Sequence, residues 1–309
     1  MVSDGILIIG SLNMDMVMNM DRMPVIGETV LGNDFTHIPG GKGANQACAA
    51  GMLGGRAKML GCVGRDESGN MLIQNLKESG VDVSGIRISD RFTGTASIYV
   101  NGSGDNSIVV IPGANYSCDI NYLKEMDGAF QESAYVLLQM EIPEEAVYYA
   151  VRRAKELGKT VILNPAPAPN SIPDEILSMV DYLTPNETEL LKLSGQTGED
   201  IGAIEMGARE MVRRGVKHVI VTLGKQGCML LSGNKKECFS ARNVESVDTT
   251  AAGDCFNGAF AVGLSEGLPA GDAIRFANLA SSIAVTRKGA QNSLPTREEV
   301  EGIQSVYKQ

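Results

Sequence analysis

The strongest constraint on the fold is a series of short, largely apolar runs set at intervals along the chain. Ile6 to Ile9, bounded by Gly5 and Gly10, is the first; Ala57 to Val63, Tyr135 to Leu138, Thr160 to Leu163, Tyr182-Leu183 and His218 to Thr222 follow. A strand with one wet face alternates apolar and polar residues, whereas a strand buried on both faces is apolar throughout. Between the runs lie helical stretches such as Glu67 to Lys77 and Pro143 to Leu157, closed by Gly80 and Gly158. That succession predicts a doubly wound, mainly parallel α/β sheet flanked by helices. Cys228 to Leu231 and Glu237 to Ala241 predict a late hairpin, antiparallel at one edge, and Gly253 to Tyr307 reads as mostly helical with breaks at Pro269 and Pro295.

Four segments have another pattern. Asn13 to Met20, Glu28 to His37, Thr93 to Val100 and Ser107 to Ile111 read as strands with one wet face, the last two flanking an Asn-Gly hairpin signal. They predict a small β-sheet lid, formed by insertions at about 12–38 and 92–112 within a single α/β domain spanning 1–309. Met14, Met16, Met18 and Met20 alternate as an apolar lid face requires.

Composition narrows the function. A net charge of −10 argues against general affinity for nucleic acid or an anionic membrane, so an anionic ligand must be met by local features. The six cysteines are scattered with no CxxC pair, which suggests neither a zinc site nor a disulfide framework. The N-terminus lacks a basic, apolar leader, and no apolar stretch approaches a membrane span, so a soluble, cytoplasmic protein with reduced thiols is expected. His37 and His218 sit in strand-like segments and read as structural.

In open α/β sheets ligands bind beyond the carboxyl ends of strands. Polar residues recur there: Asn13 and Asp15, Glu141, Asn164, Asn186 and Glu189, Thr222 and Gly224. Asn186 and Glu189 also fit a helix capping box. Gly40-Gly41-Lys42-Gly43 resembles a phosphate loop, yet its spacing is not GxxxxGK[ST], which excludes a Walker A loop; Gly10-Ser-Leu-Asn13 lacks GxGxxG. In Asp248-Thr-Thr-Ala-Ala-Gly-Asp254 the small residues Ala251, Ala252 and Gly253 let backbone N–H groups approach an anion at a helix start, with the Asp254 carboxylate beside them as a base. A plain capped helix start is the alternative reading of that stretch.

Gly40-Gly-Lys-Gly-Ala-Asn45-Gln-Ala and Asp248-Thr-Thr-Ala-Ala-Gly-Asp254, in that order, together with Asn186-Glu-Thr-Glu189, Thr222-Leu-Gly-Lys-Gln-Gly227 and Thr286 to Ser293, resemble the ribokinase family of sugar kinases over essentially the whole chain. The resemblance implies ATP-dependent phosphorylation of D-ribose at its primary 5-hydroxyl. A family kinase acting on deoxyribose, another sugar or a nucleoside is the alternative, and a catalytically silent sugar or nucleotide sensor a further one.

The resemblance also implies roles. Asn13, Asp15, Gly41, Lys42, Asn45 and Glu141 would hold the sugar, Asp254 would be the catalytic base, and the Ala251, Ala252 and Gly253 backbone the anion hole. Asn186, Thr222, Gly224, Gly227, Gly253 and Asn278 would hold ATP, with Glu189 organising Mg2+ through water. A monovalent cation, K+ in the usual case, would meet Asp248, Thr250, Ala284, Arg287, Gly289 and Ser293, several through carbonyls. A homodimer through the lid is implied too. Two positions depart from the pattern: Cys255 where Thr is usual and Asn278 where His often lies against adenine.

Overall fold

The first apolar run becomes β1 (Gly5–Ile9), and its side chains divide between two cores. Ile6 and Ile8 face one cluster, Leu7 and Ile9 the other, and none of the four is exposed. Each such side chain stabilises the fold by roughly 1.5–3 kcal/mol, which is why no polar residue alternates in the run. The computed structural model describes residues 4–198 and 200–307.

Among the described residues, fourteen strands form three sheets. In chain order they are β1, β2 (Asn13–Met20), β3 (Gly32–Gly40), β4 (Ala57–Leu60), β5 (Cys62–Gly64), β6 (Arg87–Ser89), β7 (Gly94–Val100), β8 (Asn106–Ile111), β9 (Ser133–Leu138), β10 (Thr160–Leu163), β11 (Tyr182–Leu183), β12 (His218–Thr222), β13 (Cys228–Ser232) and β14 (Lys235–Phe239). The main sheet runs β14, β13, β12, β11, β10, β9, β1, β4 and is parallel except at β13, which is antiparallel to both neighbours. The direction of winding reverses at β1, whose neighbours are β4 on one side and β9 on the other. A crevice at the carboxyl ends of β1 and β9 follows from that reversal.

The second sheet has the order β3, β2, β7, β8, with β2 and β7 parallel and both outer pairs antiparallel. Its edge strand β8 is exposed on both faces: Ile108, Val109 and Val110 are 53, 55 and 52% exposed. Glu28 to Leu31, expected to begin a strand, are irregular and follow a turn at Ile26 and Gly27 (φ 84°), closed by Glu28 N–H donating to the Val25 carbonyl, while the Glu28 carboxylate pairs with Arg22.

The run Ala57 to Val63 is not one strand. At Gly61 the chain leaves the main sheet, and β5 pairs instead with β6. Gly61 N–H donates to the Tyr122 hydroxyl at 2.9 Å, and a side chain there would meet Leu12 at 2.4 Å. Apolar composition carries no mark of that break.

Two helices built from small residues meet over the β1 face. Helix Lys42–Met52 packs against helix Ala252–Ser265 so closely that a Cβ on Gly258 would lie 2.6 Å from both the Ala49 Cβ and the Gln46 carbonyl. The two motif segments, around Asn45 and Asp254, come together at the N-termini of these helices.

Candidate active site

At the crevice beyond β1 and β9, backbones come together that side chains would hold apart. A Cβ on Gly43 would stand 2.6 Å from backbone atoms of Gly10 and Ser11, and one on Gly41 (φ 87°) 2.7 Å from Asn13 N. Only glycine allows this approach and this backbone conformation together. The result is that Lys42 and Asn45 start a helix directly against the end of β1.

Ser11 Oγ donates to the Glu141 carboxylate across the crevice, and Glu141 also accepts from Lys42 N–H at 3.0 Å. Asn13 Oδ1 accepts from Asn115 Nδ2 at 2.7 Å; Asn115 also pairs with both backbone groups of Leu12, fixing the turn into β2. The Asp15 carboxyl is pushed up to about 7, mainly by burial, then by the charges of Glu141 and Asp254, with Lys42 opposing. The Lys42 ammonium is held above its ordinary range, first by Asp254 against the effect of burial, then by Glu141, Glu189 and Asp15. One cation among four carboxylates, with amides beside them, offers the adjacent donors and acceptors that a polyol needs.

Asp254 is 7% exposed in the first turn of helix Ala252–Ser265. Its Oδ2 accepts from Asn45 Nδ2 and its Oδ1 from Gln46 Nε2, both at 2.9 Å. No described residue accepts from the N–H groups of Ala251 or Gly253, whereas Ala252 N–H makes a 3.2 Å contact with the Thr249 carbonyl. Free N–H groups at a helix start favour an anion, and a buried carboxylate next to them can take a proton from a hydroxyl attacking that anion.

On the far side of this turn lies a cleft of roughly 590 Å³. Asn186, Thr222, Gly224, Gly227, Gly253 and Asn278 all line it, so the structure brings the six expected nucleotide positions together. Arg242, Ser246, Phe256 and Val285 line it as well, and no motif marks them. Asn278 Nδ2 donates to the Phe239 carbonyl at 3.3 Å, which ties it to β14. Asn186 and Glu189 form the complete capping box; burial raises the Glu189 carboxyl, with Asp254 adding and both the Asn186 N–H and Lys42 opposing. The capping and site readings of this pair are therefore compatible.

The loop carrying Asp248 and Thr250 lies against the end of helix Ala270–Ala284 and the turn that follows. Asp248 accepts from Thr250 N–H and hydroxyl, and from Gly289 N–H at 2.9 Å, while Asp248 N–H donates to the Val285 carbonyl. Ser293 is buried, its hydroxyl donating to the Ala290 carbonyl. Arg287 N–H reaches the Ala284 carbonyl, but its side chain points outward to Glu299, so only its backbone faces the other positions of this group.

The model of the pfkB family of carbohydrate kinases matches residues 3–297. The chain belongs to the pfkB family of carbohydrate kinases. This carbohydrate kinase is 42% identical to the ribokinase of Bacillus subtilis over 301 residues, covering 97% of this chain and 99% of that protein. It is 38% identical to the ribokinase of Haemophilus influenzae over 293 residues, covering 94% and 95%. Among solved structures, Arabidopsis thaliana ribokinase complexed with ribose and ATP superposes with a TM-score of 0.91 at 33% identity, covering 98% of this chain and 99% of that one. The doubly wound sheet with a second small sheet in the pfkB-family kinase described here is the architecture of that ribokinase.

Proposed function

We propose that this kinase transfers the γ-phosphoryl group of ATP to the 5-hydroxyl of D-ribose, giving D-ribose 5-phosphate and ADP. One observation carries the reading: the Asp254 carboxylate stands at the junction of the polar crevice and the nucleotide cleft, on the helix turn whose Gly253 lines that cleft. The ribokinase relatives and the ribose-bound neighbour support ribose as the sugar.

In this mechanism Asn13, Asp15, Gly41, Lys42, Asn45 and Glu141 hold the hydroxyls of ribose so that its 5-oxygen faces Asp254. Asp254 takes the 5-hydroxyl proton as that oxygen bonds to the γ-phosphorus and the bond from phosphorus to the β,γ-bridging oxygen breaks. Backbone N–H groups of Ala251 to Gly253 hold the charge on the transferring group, and the Lys42 ammonium adds to their field. The second sheet acts as the lid, excluding water from the transfer.

The half-buried carboxylate of Glu189, beside the cleft, fits a magnesium ion that keeps most of its waters and takes its other ligands from phosphate. Mg2+ would supply neutralisation of the β- and γ-phosphate charge. The oxygen-rich meeting of the Asp248 carboxylate with the 284–293 turn fits a monovalent cation, K+, which would brace the loop leading into Ala251. The exposed apolar β8 supports a homodimer formed through the lids. All six cysteines are free, and no described helix is long and apolar enough to cross a membrane, which fits a cytoplasmic enzyme.

Turnover compared over ribose, deoxyribose, fructose and adenosine tests the assignment. Ribose should give the highest kcat/KM, and negligible ribose turnover would sink it.

A further inference from the structure

The Asp254 carboxylate is the end point of a buried chain of amides that the proposed chemistry does not itself consume. Gln46 is fully buried, and both its Nε2 hydrogens and its Oε1 have partners. Its Nε2 donates to Asp254 Oδ1 at 2.9 Å and to Asn164 Oδ1 at 3.1 Å, and its Oε1 accepts from Gln139 Nε2 at 2.7 Å. From Asn164 the path continues: Asn164 Nδ2 donates to the Thr184 carbonyl at 2.9 Å, Thr184 Oγ1 to Asn257 Oδ1 at 2.6 Å, and Asn257 Nδ2 to the Gly253 carbonyl at 2.8 Å. The path therefore closes into a ring at the residue preceding Asp254.

The direction of these bonds is dictated by one charge. An ionised carboxylate only accepts, so Gln46 must present its NH2 to it and turn its Oε1 away; Gln139 must in turn present its NH2 to that oxygen. Gln139 Oε1 is then left pointing at Gly10, where a Cβ would lie 2.0 Å from it. Among the described residues it is the one buried side-chain polar atom without a partner. An orphaned buried acceptor is costly, and here it is the residue of a polarity imposed at the other end of the chain.

We infer that Gln46 is the positioning residue for Asp254: through its side-chain amide and the ring over Asn164, Thr184 and Asn257, it holds the carboxylate and the Gly253 peptide in one register for proton transfer. The inference rests on the reading of Asp254 as the base. Lys42, Asp15, Glu189 and Cys255 also face Asp254, and they are unchanged in variants at position 46.

Two variants and one control test it by steady-state kinetics across pH 5.5 to 9.5, with circular dichroism to confirm folding. Gln46→Met keeps the volume and removes the donor; kcat should fall about tenfold or more while the ribose and ATP KM values stay within about threefold. Gln46→Glu keeps the shape, and its carboxylic acid can donate to Asp254 only while it holds a proton. Its kcat should therefore fall on the alkaline side in a limb that the parent enzyme lacks. A structural role alone would lower thermal stability without adding that limb. An unchanged kcat in Gln46→Met, or a Gln46→Glu profile parallel to the parent's, overturns the inference; if Gln46→Met does not fold, Gln46→Glu decides. Asp254→Asn is run alongside: near-parental turnover there would overturn the base assignment itself, a result distinct from inactive Asp254→Asn with indifferent Gln46 variants.

Discussion

Asp15→Asn tests the electrostatics of the crevice, because it should stabilise the protein while weakening its hold on sugar. The Asp15 carboxyl titrates at about 7 in the folded protein, against an ordinary 3.8. Between those values the folded protein keeps a proton that the unfolded chain has released, so the group's contribution to stability falls as pH rises and is lowest above about 7. At about 1.4 kcal/mol per pH unit the displacement corresponds to roughly 4 kcal/mol as an upper value. Screening by water at the crevice reduces this to about 2 kcal/mol. For a chain of 309 residues that is a rise in Tm of roughly 3 °C. Calorimetry of both proteins without sugar at pH 4.5, 6 and 8 should show the gap opening across this range, smallest at the lowest pH. In parallel the ribose KM should rise about tenfold, since an amide replaces a charged acceptor. A Tm gap of equal size at pH 4.5 and 8, or a less stable variant at pH 8, would refute the reasoning.

Three further outcomes follow from the same geometry. Asp254→Asn should lower kcat by about 10² or more with sugar affinity kept within a few-fold, checked by single-turnover kinetics and ribose titration. Gly43→Ala forces a methyl to 2.6 Å from the Gly10 and Ser11 backbone and should cost about 1–3 kcal/mol in urea unfolding, together with a higher sugar KM. Paired Val109→Glu and Val110→Glu changes place a charge on each face of β8; light scattering at micromolar concentration should then give a monomer where the parent gives a dimer.

Much of this arrangement was legible in the residues, for physical reasons that also explain what was not. β1, β9, β10 and β12 announce themselves because burial on both faces leaves no room for a polar position. The motif from Gly40 to Asn45 is legible because close backbone approach excludes almost every other residue type, as at Gly41 and Gly43. By contrast, the break at Gly61 depends on the Tyr122 hydroxyl, which arrives from a distant part of the chain. Gln46, Gln139 and Asn164 were invisible as a set because a hydrogen-bonded path is a property of three-dimensional placement. Gln46 directly follows Asn45 in a motif read for its sugar contacts, and Gln139 stands two residues before Glu141; their neighbours were informative, their partnership was not. Arg242 and Ser246 reach the nucleotide cleft from an irregular segment without periodicity or motif.

The close contact between helices Lys42–Met52 and Ala252–Ser265 has a consequence for the order of synthesis. Until the second helix has left the ribosome, the Ile6 and Ile8 face of the sheet lacks its cover, and Asn45 and Gln46 have no carboxylate to hold. Residues around 284–293 must follow before the loop at Asp248 is braced. On the proposed mechanism catalytic capacity is thus acquired late, and a chain interrupted before residue 250 carries all the described strands without the proposed base.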